Sequence, residues 1–452
     1  MRFQLPSPPE WRLQQASLCV DRALTELRRG RCLLIQAAGR SRWLFVAVET
    51  LTPASWQQLQ QVPGRWQLFL SAQRAMSLGV PEAIVSGQMA EAMSPAVGEL
   101  GRGSHDAAAP APASRMDGVP AGEAPAAWER PGVELPFELV LDLVPAPAVE
   151  TLWHWAGLDV QCEGGTPERA AGQLAAVTTS QAAWPAAAAA LALARQGRLA
   201  PAVLGLALPD DLSAEPALVD WLGMVLSVDA AQVLTHARAR PVRLTQVSAA
   251  PVPLADDADS RFVLFREQDS EFEHVAVVVG NPDLAADAPV RVRLHSSCLT
   301  GDLFGSLRCD CGDQLRGTVA RLAASGGGIV LYLSQEGRGI GLANKLRAYV
   351  RQDQGLDTLD ANQALGFRMD ERHFEVAGAM LQALGCRRIN LLTNNPAKIA
   401  ALRAAGIEVI DREAVKGGVN PHNQRYLVTK LRRGGHLFDE DDLLSSPHHT
   451  EN

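Results

Sequence analysis

From residue 275 to residue 411, short β-branched runs alternate with longer amphipathic ones, and this limits the fold more than any other feature of the sequence. Residues 275–279 are apolar throughout and β-branched except for Ala276, as in a strand buried on both faces. Next, Val290, Val292 and Leu294 alternate with Arg291, Arg293 and His295, which predicts a strand with one apolar and one cationic face. The pattern then predicts a helix over 313–324, a strand over 328–333, and helices over 340–352 and 371–384. A strand over 389–393, a helix over 396–405 and a strand over 407–411 follow. That order argues an α/β sandwich.

The rest of the chain is of another kind. All nine tryptophans lie at or before Trp221, and all three tyrosines (Tyr332, Tyr349, Tyr426) lie after it. A length of 452 residues leaves room for two or three domains. We therefore expect two α/β domains, 1–240 and 241–438, joined near 238–247, with a frayed acidic tail over 439–452. Residues 101–132 are mostly Ala, Pro, Gly and Ser, too poor in large apolar groups to offset the entropy of ordering, and are expected to be a disordered insertion. The Ala-rich stretch 182–195, with Leu191 and Leu193 among helix formers after Pro185, is expected to be an ordinary helix.

Composition narrows the function. With 47% hydrophobic and 20% charged residues the chain reads as globular, with no apolar run long enough for a membrane span and no signal-peptide pattern in the first 30 residues. A net charge of −8 argues against long nucleic acid as a partner. Seven cysteines, odd and sparse, suit a reducing cytoplasm in which thiols serve metals or chemistry.

Three of them stand close together. Cys298, Cys309 and Cys311 fit three zinc ligands with a fourth tetrahedral position left to water, whose pKa such a site lowers toward ~7. A closed structural site would need a fourth ligand, and His295 is near in sequence. Cys19, Cys32, Cys162 and Cys386 are isolated and read as core residues. Directly after the 328–333 strand, Gln335-Glu336-Gly337-Arg338-Gly339 is either a tight turn or a loop whose N–H groups approach an anion. Arg293, His295 and the run Thr393-Asn394-Asn395-Pro396-Ala397-Lys398 add anion-seeking groups at other strand ends, as a nucleoside phosphate crevice would require. Asp370-Glu371-Arg372 is placed at a helix start, where capping and catalysis both account for Asp370.

From about residue 242 to 437 the chain resembles GTP cyclohydrolase II. The match runs through Arg293-Leu294-His295-Ser296-Ser297-Cys298-Leu299-Thr300-Gly301-Asp302, Ser306 to Gly312, Gln335 to Arg338, Asn344 to Tyr349, Asp357-Thr358, Asp370 to Arg372 and Leu392 to Lys398. The resemblance implies Zn2+, one per chain, on Cys298, Cys309 and Cys311. It implies GTP held by Arg293, Leu294, His295, Ser296, Ser297, Gln314, Glu336, Gly337, Arg338, Thr358, Thr393 and Lys398, with Mg2+ on the triphosphate. Asp370 is implied as proton acceptor, Arg372 as nucleophile toward the α-phosphate, Tyr349 as a neighbour of the zinc, and the assembly as a homodimer. The family usually has Glu where Ser297 stands and often His-Arg where Leu333-Ser334 stand. Tyr349 is present, which implies full deformylation rather than arrest at a formylated product.

The first module resembles 3,4-dihydroxy-2-butanone 4-phosphate synthase through residues 20–35, 46–53 and 74–80 and, near its end, 190–198 and 209–236. That family carries an acidic loop after its first strand; here the place reads Gln36-Ala37-Ala38-Gly39-Arg40-Ser41-Arg42, without a carboxylate. A hard cation needs oxygen ligands, so a fold without its chemistry is expected, with Glu49 structural. The resulting expectation is cytoplasmic hydrolysis of GTP to the diaminopyrimidine ribotide, formate and diphosphate, the opening step of riboflavin synthesis. Two other readings are a bifunctional enzyme and a non-catalytic or diverted GTP-binding paralogue.

Overall fold

The computed structural model describes residues 8–37, 41–79, 138–143, 146–158, 184–239, 242–268, 270–284, 288–415 and 417–423. The expected insertion at 101–132, the tail at 439–452 and Cys162 lie outside them.

The described strands form two sheets that divide the chain after residue 229. The first contains β1 (Leu33–Gln36), β2 (Arg42–Ala47), β3 (Trp66–Ser71), β4 (Glu138–Asp142), β5 (Ala202–Leu208) and β6 (Leu226–Asp229), ordered β4-β3-β5-β2-β1-β6. Its pairs are antiparallel except for β1 with β6. Helices Pro8–Arg28, Trp184–Gln196 and Ala230–Ala239 cover one face, and Pro53–Leu59, Ala72–Ser77 and Val149–Trp155 the other. The Ala-rich helix forms as expected, and its small buried residues (Ala186, Ala187, Ala189, Ala190, Ala194) allow close approach to the sheet. Gly205 on β5 has a similar use: a Cβ there would lie 2.6 Å from the Phe45 ring and 2.7 Å from that of Phe69.

The second sheet contains β7 (Leu244–Pro251), β8 (Arg261–Glu267), β9 (Glu273–Val279), β10 (Val290–Ser296), β11 (Gly328–Leu333), β12 (Arg388–Leu392) and β13 (Glu408–Glu413). Their order is β13-β12-β10-β11-β9-β8-β7, with β11, β10, β12 and β13 parallel and the remainder antiparallel. Helices Glu375–Ala383 and Pro396–Ala404 pack on one face, and Cys311–Ala324 on the other. Together the two sheets make a mixed α/β protein. The parallel strands β10, β11 and β12 all end on one side, so Ser297, Gln335 and Thr393 follow neighbouring strand ends, where open α/β sheets hold ligands.

Three details depart from the sequence reading. The cationic face of β10 is largely internal: Arg291 is partly exposed, but Arg293 and His295 are buried like Val292 and Leu294, because the strand is central and both side chains find polar partners inside. The helix expected over 371–384 begins only at Glu375, so Asp370 and Arg372 precede it and do not start it. A helix not anticipated, Thr358–Ala364, starts where Asp357 accepts from the N–H groups of Leu359 and Asp360.

Candidate active site

The chain leaves β10 at Ser296, makes the single turn Leu299–Asp302, and returns through Cys309 to Cys311, which opens the Cys311–Ala324 helix. This path gathers the three thiols, whose Sγ atoms all lie within 4.8 Å of one another, Cys298 and Cys309 being 3.6 Å apart. A tetrahedral ion with sulfur at ~2.3 Å sets sulfurs roughly 3.8 Å apart, so the 3.6 Å pair is close to that spacing and the cluster could hold a metal ion. Gly301 makes room for it: a Cβ there would stand 2.7 Å from Cys309 Sγ and 3.0 Å from Cys298 Sγ. His295 is not among these ligands; its Nε2 faces Asp302 at 3.0 Å and its ring stacks on Tyr332.

The cluster is electrostatically prepared for a cation. Hydrogen bonds from Cys309 and Cys311, with Lys345 adding to them, hold the Cys298 thiol far below its ordinary range. The bond to that thiolate pushes Cys309 up to about 11. Lys345 Nζ lies 3.1 Å from Cys298 Sγ and 2.7 Å from Glu336 Oε1. Burial pulls the Lys345 ammonium down, but Glu336, Tyr349 and Cys298 outweigh it and hold it above its ordinary value. By contrast, burial pushes Cys32 up to about 12 and Cys386 to about 11, as expected of inert core thiols.

Beside the thiols the Glu336–Gly339 segment forms a 3-10 turn with Gly337 and Arg338 both left-handed, at φ 64° and 61°. A non-glycine residue rarely adopts this conformation, and here it sits at the crevice wall. The turn is held by Glu336, whose Oε2 accepts from Leu299 N–H at 2.7 Å, and by Arg338 O, which accepts from Glu371 N–H at 3.0 Å. The crevice between turn and thiols is bordered by Ser296, Ser297, Cys298, Cys309, Cys311, Glu336, Gly337, Arg338, Tyr349, Thr358 and Arg372. Burial raises the Tyr349 hydroxyl above its ordinary value, so it keeps its proton.

Other residues singled out from the sequence stand outside that lining. Arg293 donates to Leu392 O at 2.9 Å and to Gln314 Oε1, and its buried Nε has no protein partner among the described residues. Burial lowers the Arg293 guanidinium to about 10. Lys398 Nζ donates to Leu294 O at 2.7 Å, and Thr393 Oγ accepts from Asn395 N–H. Asp370 binds Arg372 through both oxygens, at 2.8 and 2.6 Å. Burial acts to raise the Asp370 carboxyl, but Arg372, with help from Arg338, holds it below the usual carboxylate range. Lys345, Arg308, Gln335 and Asn362 also border the crevice and were given no role from the sequence. Arg308 and Gln335 lie within motifs that carry the resemblance, and Lys345 had a positional signal besides, lying four residues before Tyr349 and hence on the same side of the Gly341–Asp353 helix.

A three-thiol cluster that could hold a metal ion lies at the strand ends of an α/β sheet, in a crevice also lined by Arg308, Arg338 and Arg372. Residues 245–414 match the family model of GTP cyclohydrolase II. A GTP cyclohydrolase-2 of Xylella fastidiosa is 56% identical over 198 residues, covering 44% of this chain and 49% of that protein. One from Azospirillum brasilense is 48% identical over 253 residues, covering 55% and 64%. One from Azotobacter vinelandii is 53% identical over 174 residues, covering 38% of this chain and 83% of that protein. The chain belongs to the GTP cyclohydrolase II family. It spans about half the length of the Xylella relative. A two-domain 3,4-dihydroxy-2-butanone 4-phosphate synthase from A. baumannii superposes over 88% of this chain and 99% of that one, at 15% identity and a TM-score of 0.25, too loose to speak for a shared fold.

Proposed function

We propose that the protein hydrolyses GTP to 2,5-diamino-6-(5-phospho-ribosylamino)pyrimidin-4(3H)-one, formate and diphosphate, as a homodimer using zinc and a magnesium-bound triphosphate. The observation that carries this reading is the gathering of Cys298, Cys309 and Cys311 around a pocket that a Cβ at Gly301 would close, inside the segment that matches the family. Zinc held by the three thiolates would supply Lewis-acid activation of water at neutral pH, which both additions at the guanine C8 need.

The chain's own groups divide the remaining work. Tyr349, protonated and beside the thiols, would donate to the opening ring. Lys345 offsets part of the negative charge at Cys298. Arg338 and Arg372 on the crevice wall would neutralise phosphate oxygens as diphosphate leaves. With both of its oxygens on Arg372, Asp370 keeps that guanidinium charged and oriented. A charged guanidinium is no nucleophile, which favours electrostatic stabilisation over a covalent phosphoryl step.

The test is formate and diphosphate release from GTP by purified full-length protein in zinc-replete buffer. Cys309→Ser is expected to lose both metal and formate, since an alcohol is a poor zinc ligand. Zinc-loaded protein that releases no formate would return the chain to the diverted or non-catalytic reading.

A further inference from the structure

Two helices that border the crevice are gripped on their other sides by the first module. Along Gly341–Asp353, Lys345 and Tyr349 lie one turn apart and face the crevice. Asn344, Arg347 and Arg351 follow the adjoining stripe at i, i+3 and i+7, and each reaches the first module. Asn344 Nδ2 donates to Arg198 O at 2.8 Å, and Arg347 pairs with Glu49 Oε1 at 2.8 Å. The other Glu49 oxygen accepts from Ala200 N–H at 2.7 Å, so one carboxylate ties the loop before β5 to that helix. Arg198, at φ 57° and stacked on Phe272, donates to Ser334 O, one residue before the crevice segment begins.

The Thr358–Ala364 helix is held in the same manner. Arg74 is buried, with partners at two helix ends: the carbonyls of His154 and Trp155 in the first module and that of Ala364 in the second. A cation between two helix C-termini satisfies orphan carbonyls and opposes both dipoles. Ser71 Oγ donates to Gly366 O at 2.7 Å just beyond. None of these first-module groups lines the crevice. Charges half withdrawn from water are costly unless their geometry is fixed, so the contacts specify one placement of the two helices against the first sheet.

We propose that the first module is a positioning device for the site, in which Glu49, Arg74 and Arg198 hold the Gly341–Asp353 and Thr358–Ala364 helices so that Lys345, Tyr349 and Thr358 stay in register with the three thiols. The kinetic part of this proposal rests on the GTP reading above; the structural part does not. Glu49 acts through Arg347 and never touches substrate, so it is a positioning residue.

The experiment compares full-length wild type with Glu49→Gln, Arg347→Gln and the double variant. Each is assayed for hydrogen exchange by segment, for zinc content, and for kcat and KM of formate release from GTP. Loss of a half-buried ion pair should speed exchange over 341–353 and lower kcat by about ten-fold, with the double variant no worse than either single one. KM, zinc content and exchange in β8 to β12 should stay near wild type. Unchanged exchange over 341–353, or equal loss of protection in both sheets, would overturn the proposal, the second showing a purely structural role. Wild type that releases no formate would end the GTP reading, and the exchange comparison would still decide the positioning role.

Discussion

Tyr349 and Asp370 show how much a single side chain is constrained by its neighbours. Tyr349 borders the thiols, lies 4.9 Å from the Arg308 guanidinium and keeps its proton through burial. Tyr349→Phe should leave zinc content unchanged while cutting formate release at least about a hundred-fold, the usual scale of a lost proton donor. Unaltered formate release would make the ring a packing group. Asp370 offers a pH test. Its carboxyl is lowered on folding, so the stability it adds is present above its unfolded value of roughly 4 and is lost only as pH falls through the lower folded value. Carbon-13 NMR should find the carboxylate still ionised at about pH 4, and Arg372→Ala should move its midpoint upward, since the nearest cation and its two side-chain bonds are then lost while Arg338 and the residue-372 N–H remain. A wild-type midpoint at the ordinary value would dispose of the claimed pairing.

At the scale of elements, the β-branched runs gave the central strands correctly because burial on both faces leaves few alternatives for such residues: 328–333 matches β11, and 275–279 falls within β9. Where tertiary contacts took over, the pattern misled. Residues 370–373 read as a helix start, yet their polar groups are spent elsewhere: Glu371 N–H on Arg338 O, His373 O on Gln335, and Asp370 on Arg372. The alternation in β10 gives the two faces but not their burial, because nothing local reveals that Gln314 and Asp302 wait to satisfy Arg293 and His295. The thiol cluster was legible as a set of ligand types; the role of Gly301 was not, since it depends on the turn that brings 298 and 309 together. Gly301→Ala should therefore weaken metal binding while both sheets stay folded. Cobalt substitution would read this as a diminished thiolate charge-transfer band, and a wild-type band in a folded variant would refute the close-approach argument.

For the whole molecule, the contacts between modules were the least legible feature, since Glu49 and Arg347 are 298 positions apart and neither carries a motif of its own for the other. They bear directly on what the first module can do. Its β1–β2 connection, where the resemblance requires an acidic loop, has Gln36 bonded to Ser227 and Arg42 to the carbonyls of Pro209 and Asp210, and the sequence between them carries no carboxylate. Glu49 follows β2 but is already engaged on both oxygens, by Ala200 N–H and Arg347. Removing a proton beside a sugar carbonyl needs a divalent ion to hold the enediolate, and hence several free carboxylates facing the sugar. The full-length protein should accordingly yield no formate from ribulose 5-phosphate, even with abundant magnesium, under conditions where GTP is turned over. Restoring carboxylates at Gln36 and Ser41 alone should not rescue it, because Glu49 would remain committed to Arg347. Magnesium-dependent formate from ribulose 5-phosphate in the unaltered protein would mean that the first module keeps a site built from other residues, and that its grip on the second is not its only use.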